Sequence, residues 1–150
     1  MGTFDPTNFL DQTINDANST QTIPVPEGEY TAIVDGEPVV RQWTSKDGTK
    51  TGLAVDLNWL VDDAGVKQAV GRDRIIVRQG IMLDLNDSGG IDTGKGRNAN
   101  LGRLRDAVGL NEPGKPFNFR MLQGKLAKVS IKHRVADDVI YAEVKGVARL

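Results

Sequence analysis

Apolar and polar residues alternate most regularly between positions 53 and 61. Leu53, Val55, Leu57, Trp59 and Val61 interleave there with Ala54, Asp56, Asn58 and Leu60. A period of two turns one set toward a buried sheet face. Less complete alternation predicts further strands over 29–40, 74–85, 126–134 and 139–147. Gly36 and Pro38 interrupt the first of these and predict a bulge or kink within it. Lys46-Asp47-Gly48-Thr49-Lys50, Asp62-Asp63-Ala64-Gly65 and Asp137-Asp138 read as turns. In the body of the chain, Leu101, Leu104 and Val108 follow helical spacing, with Gly109 at the stop. The order is strand, strand, strand, helix, strand, strand. It fits a mainly β fold, a five-stranded OB-fold-like Greek-key barrel with one helix between strands 3 and 4, although other small α+β folds carry the same string.

The pattern divides the chain in two. Residues 1–23 are polar and lack strand alternation, and form an acidic N-terminal arm; residues 24–150 form the OB-fold-like domain. Within the arm, Asp5-Pro6 reads as a helix cap followed by proline at the first helical position. Phe9, Leu10 and Ile14 then share a face, so the arm is either a docking segment or a tail.

Composition narrows the class. The 150 residues suffice for one domain with a real core, and the absence of cysteine excludes disulfide scaffolds, thiol nucleophiles and zinc fingers. No apolar run approaches the ~20 residues of a membrane span. Residues 1–10 carry no Lys or Arg, unlike a signal peptide, so the expectation is a cytoplasmic protein without a membrane partner. Net charge is −1, yet the charges segregate. Residues 1–40 hold seven acids and no Lys or Arg, and the remainder holds all 19 bases and 13 acids, a balance of +6. The average conceals a basic body that suits a polyanion.

Candidate chemistry is sparse for an enzyme. Gly89-Gly90-Ile91-Asp92-Thr93-Gly94-Lys95 matches the front of a phosphate-binding loop, but Gly96 stands where Ser or Thr must hold magnesium. His133 is the single histidine and reads as a core or rim residue; alone it makes no multi-histidine metal site. No nucleophile–base set stands out, so neither catalytic residues, cofactor nor metal is assigned.

Bases and aromatics on strand faces remain. Parity puts Arg74 and Arg78 outward on the third strand, Lys128, Lys132 and Arg134 outward on the fourth, and Tyr141 outward on the fifth. Trp59 shares its register with core residues, whereas Trp43 follows Arg41 and precedes the turn carrying Lys46 and Lys50. In an OB-fold that turn commonly meets oligonucleotides. Lys95, Arg97, Arg103 and Arg105 add positive charge in and after the Gly-rich loop, able to meet a phosphate backbone without reading a base. Cations that follow phosphates and rings that stack bases are what a single-stranded nucleic-acid site needs.

Several stretches together resemble a known family. Val25-Pro26-Glu27-Gly28-Glu29-Tyr30 opens the series, and Gly80-Ile81-Met82-Leu83-Asp84-Leu85 and Asp92-Thr93-Gly94-Lys95-Gly96 continue it. The helix to Gly109-Leu110-Asn111 and then Met121-Leu122-Gln123-Gly124-Lys125 complete it. Their order over residues 24–148 resembles bacteriophage single-stranded DNA-binding proteins of OB-fold type, encoded near replication and recombination genes. The resemblance implies non-enzymatic single-stranded DNA binding in phage DNA replication or recombination, in the host cytoplasm. Cellular single-strand binders often carry an acidic tail at the C-terminus; here the acidic segment lies at the other end.

The expected contacts are Arg41, Trp43, Lys46, Lys50, Arg74, Arg78, Lys95, Arg97, Lys128, Lys132, Arg134 and Tyr141. Single-stranded DNA is the expected partner, with RNA, homo-oligomerisation and a replication or recombination protein docked through the arm left open. The first alternative is a phage structural or adaptor protein, favoured by Phe9, Leu10 and Ile14; the second is a nucleotide hydrolase built on Gly89 to Lys95.

Overall fold

The computed structural model describes residues 4–150; of the 1–23 arm, the first three residues lie outside the described residues. Three helices and six strands follow in the order α1 (Pro6–Leu10), β1 (Gly28–Val34), β2 (Val39–Thr44), β3 (Thr51–Val61), α2 (Ala64–Val70), β4 (Ile75–Met82), α3 (Ala99–Ala107), β5 (Leu126–Ala136) and β6 (Val139–Ala148), with a 3-10 turn at Phe119–Leu122 before β5. No helix among the described residues is long and apolar enough to cross a membrane.

The fold is mainly β. All six strands belong to one mixed sheet in the order β1-β5-β6-β4-β3-β2. The sheet returns on itself because β1 also pairs with β3 at its far end, through Ala32↔Val61, Ile33↔Leu60 and Val34↔Trp59. Every pairing is antiparallel except that of β4 with β6.

Six strands replace the expected five because the stretch 29–40 is two strands. Gly36 adopts φ +76°, a conformation open mainly to glycine, and Pro38 has no amide to donate. The chain kinks there, as Gly36 and Pro38 predict, without reversing: β1 pairs with β5 and with the end of β3, and β2 continues antiparallel along the other half of β3. The strand expected over 74–85 ends at Met82, and α2 occupies what reads as a turn. Asp63 caps α2, accepting the Val66 amide at 2.9 Å, and Gly71 closes it in the left-handed region.

Alternation decides which side chains meet inside the ring. Leu57, Trp59 and Val61 of β3, Ile75, Val77 and Ile81 of β4, and Ala127, Val129 and Ile131 of β5 are all buried. Trp59 lies at the centre, its indole N–H donating to Gln79 Oε1 at 2.8 Å. Gln79 is the one buried polar residue among those described, and its placement leaves the indole donor satisfied. Helix α3 adds Leu101 and Leu104 to this core, and the 3-10 turn adds Leu122.

Candidate nucleic-acid interface

The residues that alternation turns inward leave their neighbours on the outer face. Along β2, β3, β4 and β6 these neighbours include Arg41, Asp56, Arg78 and Glu143. Register aligns them across the strands, since Asp56 faces Gly80 and Arg78 bridges to Glu143.

Two carboxylates organise four cations. Asp56 accepts from Arg41 Nε at 2.9 Å and lies 3.3 Å from Arg78 Nη2. Glu143 accepts from Arg134 Nε at 2.7 Å and from Lys145 Nζ at 3.0 Å. The hydrogen bond from Arg134, opposed by partial burial and reinforced by Lys145, holds the Glu143 carboxyl below its ordinary value. Gly80 makes room for the first pair, because a Cβ there would stand 3.2 Å from Asp56 Oδ1 and 3.8 Å from Arg41 Nη2. The Arg134 guanidinium also covers one face of the Tyr141 ring, 4.8 Å from its centroid.

Helix α3 supplies the other wall. Arg103 donates to Asn100 Oδ1 at 2.8 Å and has no carboxylate within ion-pair distance among the described residues. Between α3 and the sheet runs a groove of about 560 Å³ lined by Arg41, Arg78, Arg103, Arg134 and Lys145 against Asp56-held and Glu143-held pairs, with Tyr141 at its edge. Five cations against two carboxylates leave a local excess of +3 in a molecule whose net charge is −1.

Of the sequence-expected contacts, Arg41, Arg78, Arg134 and Tyr141 come together in this groove. Trp43 lies beside it, two residues beyond Arg41 on the same face of β2. Its indole rests on Gly52, whose added Cβ would meet the ring at 2.6 Å, so one ring face is already covered. Trp43 Nε1 is buried without a hydrogen-bond partner among the described residues. Lys132 is exposed and in register with Glu143. Lys46 and Lys50 stand in the β2–β3 turn, which Asp47 stiffens by accepting from Ser45 Oγ at 2.6 Å and Thr49 Oγ1 at 2.7 Å.

The remaining four stand elsewhere. Arg74 pairs with Asp35, and Lys128 lies 4.0 Å from Glu29 where β5 meets β1. Lys95 and Arg97 belong to the β4–α3 loop, with Arg97 3.8 Å from Asp92.

Several amides of that loop are turned to its own side chains rather than toward a phosphate. Asn86 Oδ1 takes the Gly90 amide, Asp92 Oδ1 takes that of Gly94, and Asp84 Oδ2 takes that of Asn98. A P-loop aims such donors at its ligand, whereas these are consumed by carboxylates and an amide of the loop itself. His133, on the parity of the core, is exposed at the rim because β5 has left its pairing with β1 by that point. Its Nε2–H donates to the Val25 carbonyl at 2.7 Å.

No family model matches the chain, and no curated protein is similar in sequence.

Arg103 and Lys145 are outside the twelve expected contacts, although Arg103 reads from the sequence as one of the bases near the Gly-rich loop that can meet a phosphate backbone. Lys145 carried a legible signal, the outward parity it shares with Tyr141 and Glu143 on β6. It also sits at a bulge, since Ser130 pairs with Gly146 and Ile131 with Val144, leaving Lys145 unpaired opposite β5. Arg103 is three residues past Asn100, on the solvent side of a helix whose Leu101 and Leu104 are buried. Only the packing of α3 beside β6 brings it to the groove.

Proposed function

We propose that this chain is an OB-fold protein that binds single-stranded DNA along the groove between α3 and the outer face of β2, β3, β4 and β6. The observation that carries the reading is the groove's charge arrangement: four cations held by two carboxylates and a fifth, Arg103, outside those pairs, beside an exposed tyrosine ring. The cations track phosphates, and Tyr141, backed by Arg134, offers its free face to a base, with Trp43 as a second ring. Little sequence preference follows, because stacking accepts every base.

The connectivity supports the OB reading. With β1 and β2 as two halves of one bent strand, the pairings follow the order of a five-stranded Greek-key barrel, with α3 between its third and fourth strands. The phage replication or recombination setting rests on the resemblance carried by residues 24–148. No covalent chemistry is assigned to the groove.

A labelled oligothymidylate titrated by fluorescence anisotropy at several salt concentrations tests the reading. Affinity falls with salt, with a slope of about −0.7 per neutralised phosphate and about −3.5 if all five cations engage. Salt-insensitive binding, or a preference for duplex, overturns it. An oligouridylate in parallel decides between DNA and RNA. The adaptor reading has its own support in Phe4, Phe9 and Leu10, which lie exposed on and beside α1. Undetectable oligonucleotide binding together with a stable homo-oligomer favours that alternative.

A further inference from the structure

The groove and the acidic arm meet at one place. Residues 22–25 form a strap over a cavity of about 220 Å³ whose wall includes Tyr141 and Ala142, and these two residues also line the basic groove. Val25, at the end of the strap, is buried, and its carbonyl accepts from His133 Nε2–H at 2.7 Å. Glu27 Oε2 accepts the His133 backbone N–H at 2.8 Å. The chain just after the arm is therefore pinned to the β5–β6 hairpin that carries Arg134 and Tyr141. Residues 4–21 depart from the rim of the groove.

Residues 4–21 have the chemistry the groove lacks. They carry Asp5, Asp11 and Asp16 and no base, a balance of −3 against the groove's +3. They also hold Phe4, Phe9, Leu10 and Ile14, each at least 64% exposed. Carboxylates interspersed with flat or apolar side chains offer the two features of a single strand, anions and stackable surface. Reach is not limiting. Eighteen residues extend up to ~60 Å at ~3.3 Å each, whereas five strands spaced at about 4.8 Å span ~20 Å.

We infer that residues 4–21 are an internal competitor that docks along the basic groove of its own chain and is displaced by single-stranded DNA. The inference rests on the nucleic-acid reading of that groove. The structure describes the arm standing off the groove, with its acids and rings exposed. In the docked state the carboxylates neutralise the cations, and Phe4 or Phe9 takes the place of a base on Tyr141. The apparent affinity for DNA is then reduced by the fraction of molecules in which the groove is open.

The chain has no cysteine, so Asn15→Cys accepts a single nitroxide label. At low salt the label broadens the amide signals of Arg78, Arg103 and Tyr141 in the full chain, and raised salt removes the effect. Unbroadened groove signals at low salt overturn the inference. Broadening only when labelled and unlabelled chains are mixed also overturns it, since the contact would be between copies. The triple variant D5N/D11N/D16N binds oligothymidylate about three- to tenfold more tightly than the native chain at low salt, and equally at high salt. Equal affinity at low salt overturns the competition. Groove broadening in a chain that binds no oligonucleotide upholds the arm contact and overturns the nucleic-acid reading. Oligonucleotide binding without broadening does the reverse.

Discussion

At the residue scale the groove depends on what small residues leave room for. Gly80 lets Asp56 and Arg41 lie flat across β4, and Gly52 seats the Trp43 indole. Both glycines avoid the left-handed region, so each is needed for space rather than for backbone freedom. The two positions differ in severity, because a Cβ at Gly80 would stand 3.2 Å from a carboxylate oxygen and one at Gly52 only 2.6 Å from an indole ring. Gly52→Ala therefore displaces Trp43 while its own backbone stays unstrained. Trp59 is fully buried, so the change in tryptophan emission belongs to Trp43. The expected outcome is a red-shifted spectrum, a stability loss of about 1–3 kcal/mol by urea denaturation, and weaker oligonucleotide binding. An unchanged spectrum would mean that the ring does not rest on Gly52.

At the scale of elements, alternation was a faithful guide wherever a strand has one face in the core. The parity of Ile75, Val77, Val129, Ile131 and Trp59 gave their burial correctly, and so gave the outward faces of Arg78, Lys132 and Arg134. It failed at short or irregular features. Helix α2 buries only Val66 and is bracketed by Asp63 and Gly71, residues that read equally well as a turn. His133 keeps the core parity yet is exposed, because parity does not reveal where β5 runs past β1. The groove wall from α3 was illegible because the position of a helix over a sheet is set by tertiary packing. The β2–β3 turn, by contrast, is a locally encoded element. Asp47 accepts from Ser45, from the Thr49 hydroxyl and from the Thr49 amide, which together lower its carboxyl to about 2. A folded value below the ordinary 3.8 means the turn's stabilisation is complete above that pH and is lost as pH falls toward about 2. The Thr49 amide shift is expected to titrate with a midpoint of about 2, and Asp47→Asn to abolish that acid transition. A midpoint near 3.8 would contradict the hydrogen-bonded turn.

For the whole molecule, a net charge of −1 says little about a polyanion partner, because the charge that matters is local. The field over the groove comes from Arg41, Arg78, Arg103, Arg134 and Lys145, and the counter-charges of the arm lie outside it. Two substitutions that change the total equally must then act unequally. Arg103→Gln removes the one groove cation that, among the described residues, has no carboxylate within ion-pair distance, so its charge is available to a phosphate. Lys95→Gln removes one positive charge from the β4–α3 loop, which does not line the groove. Both variants carry the same net charge and both sites are solvent-exposed, so each fold is expected to keep its melting temperature. In the salt titration, Arg103→Gln is expected to lower the magnitude of the slope by about 0.7 and to weaken binding at low salt, as loss of one phosphate contact requires. Lys95→Gln is expected to leave the slope unchanged. Equal effects of the two would mean that the strand responds to total charge alone, and a larger effect of Lys95→Gln would move the binding surface to the Gly-rich loop.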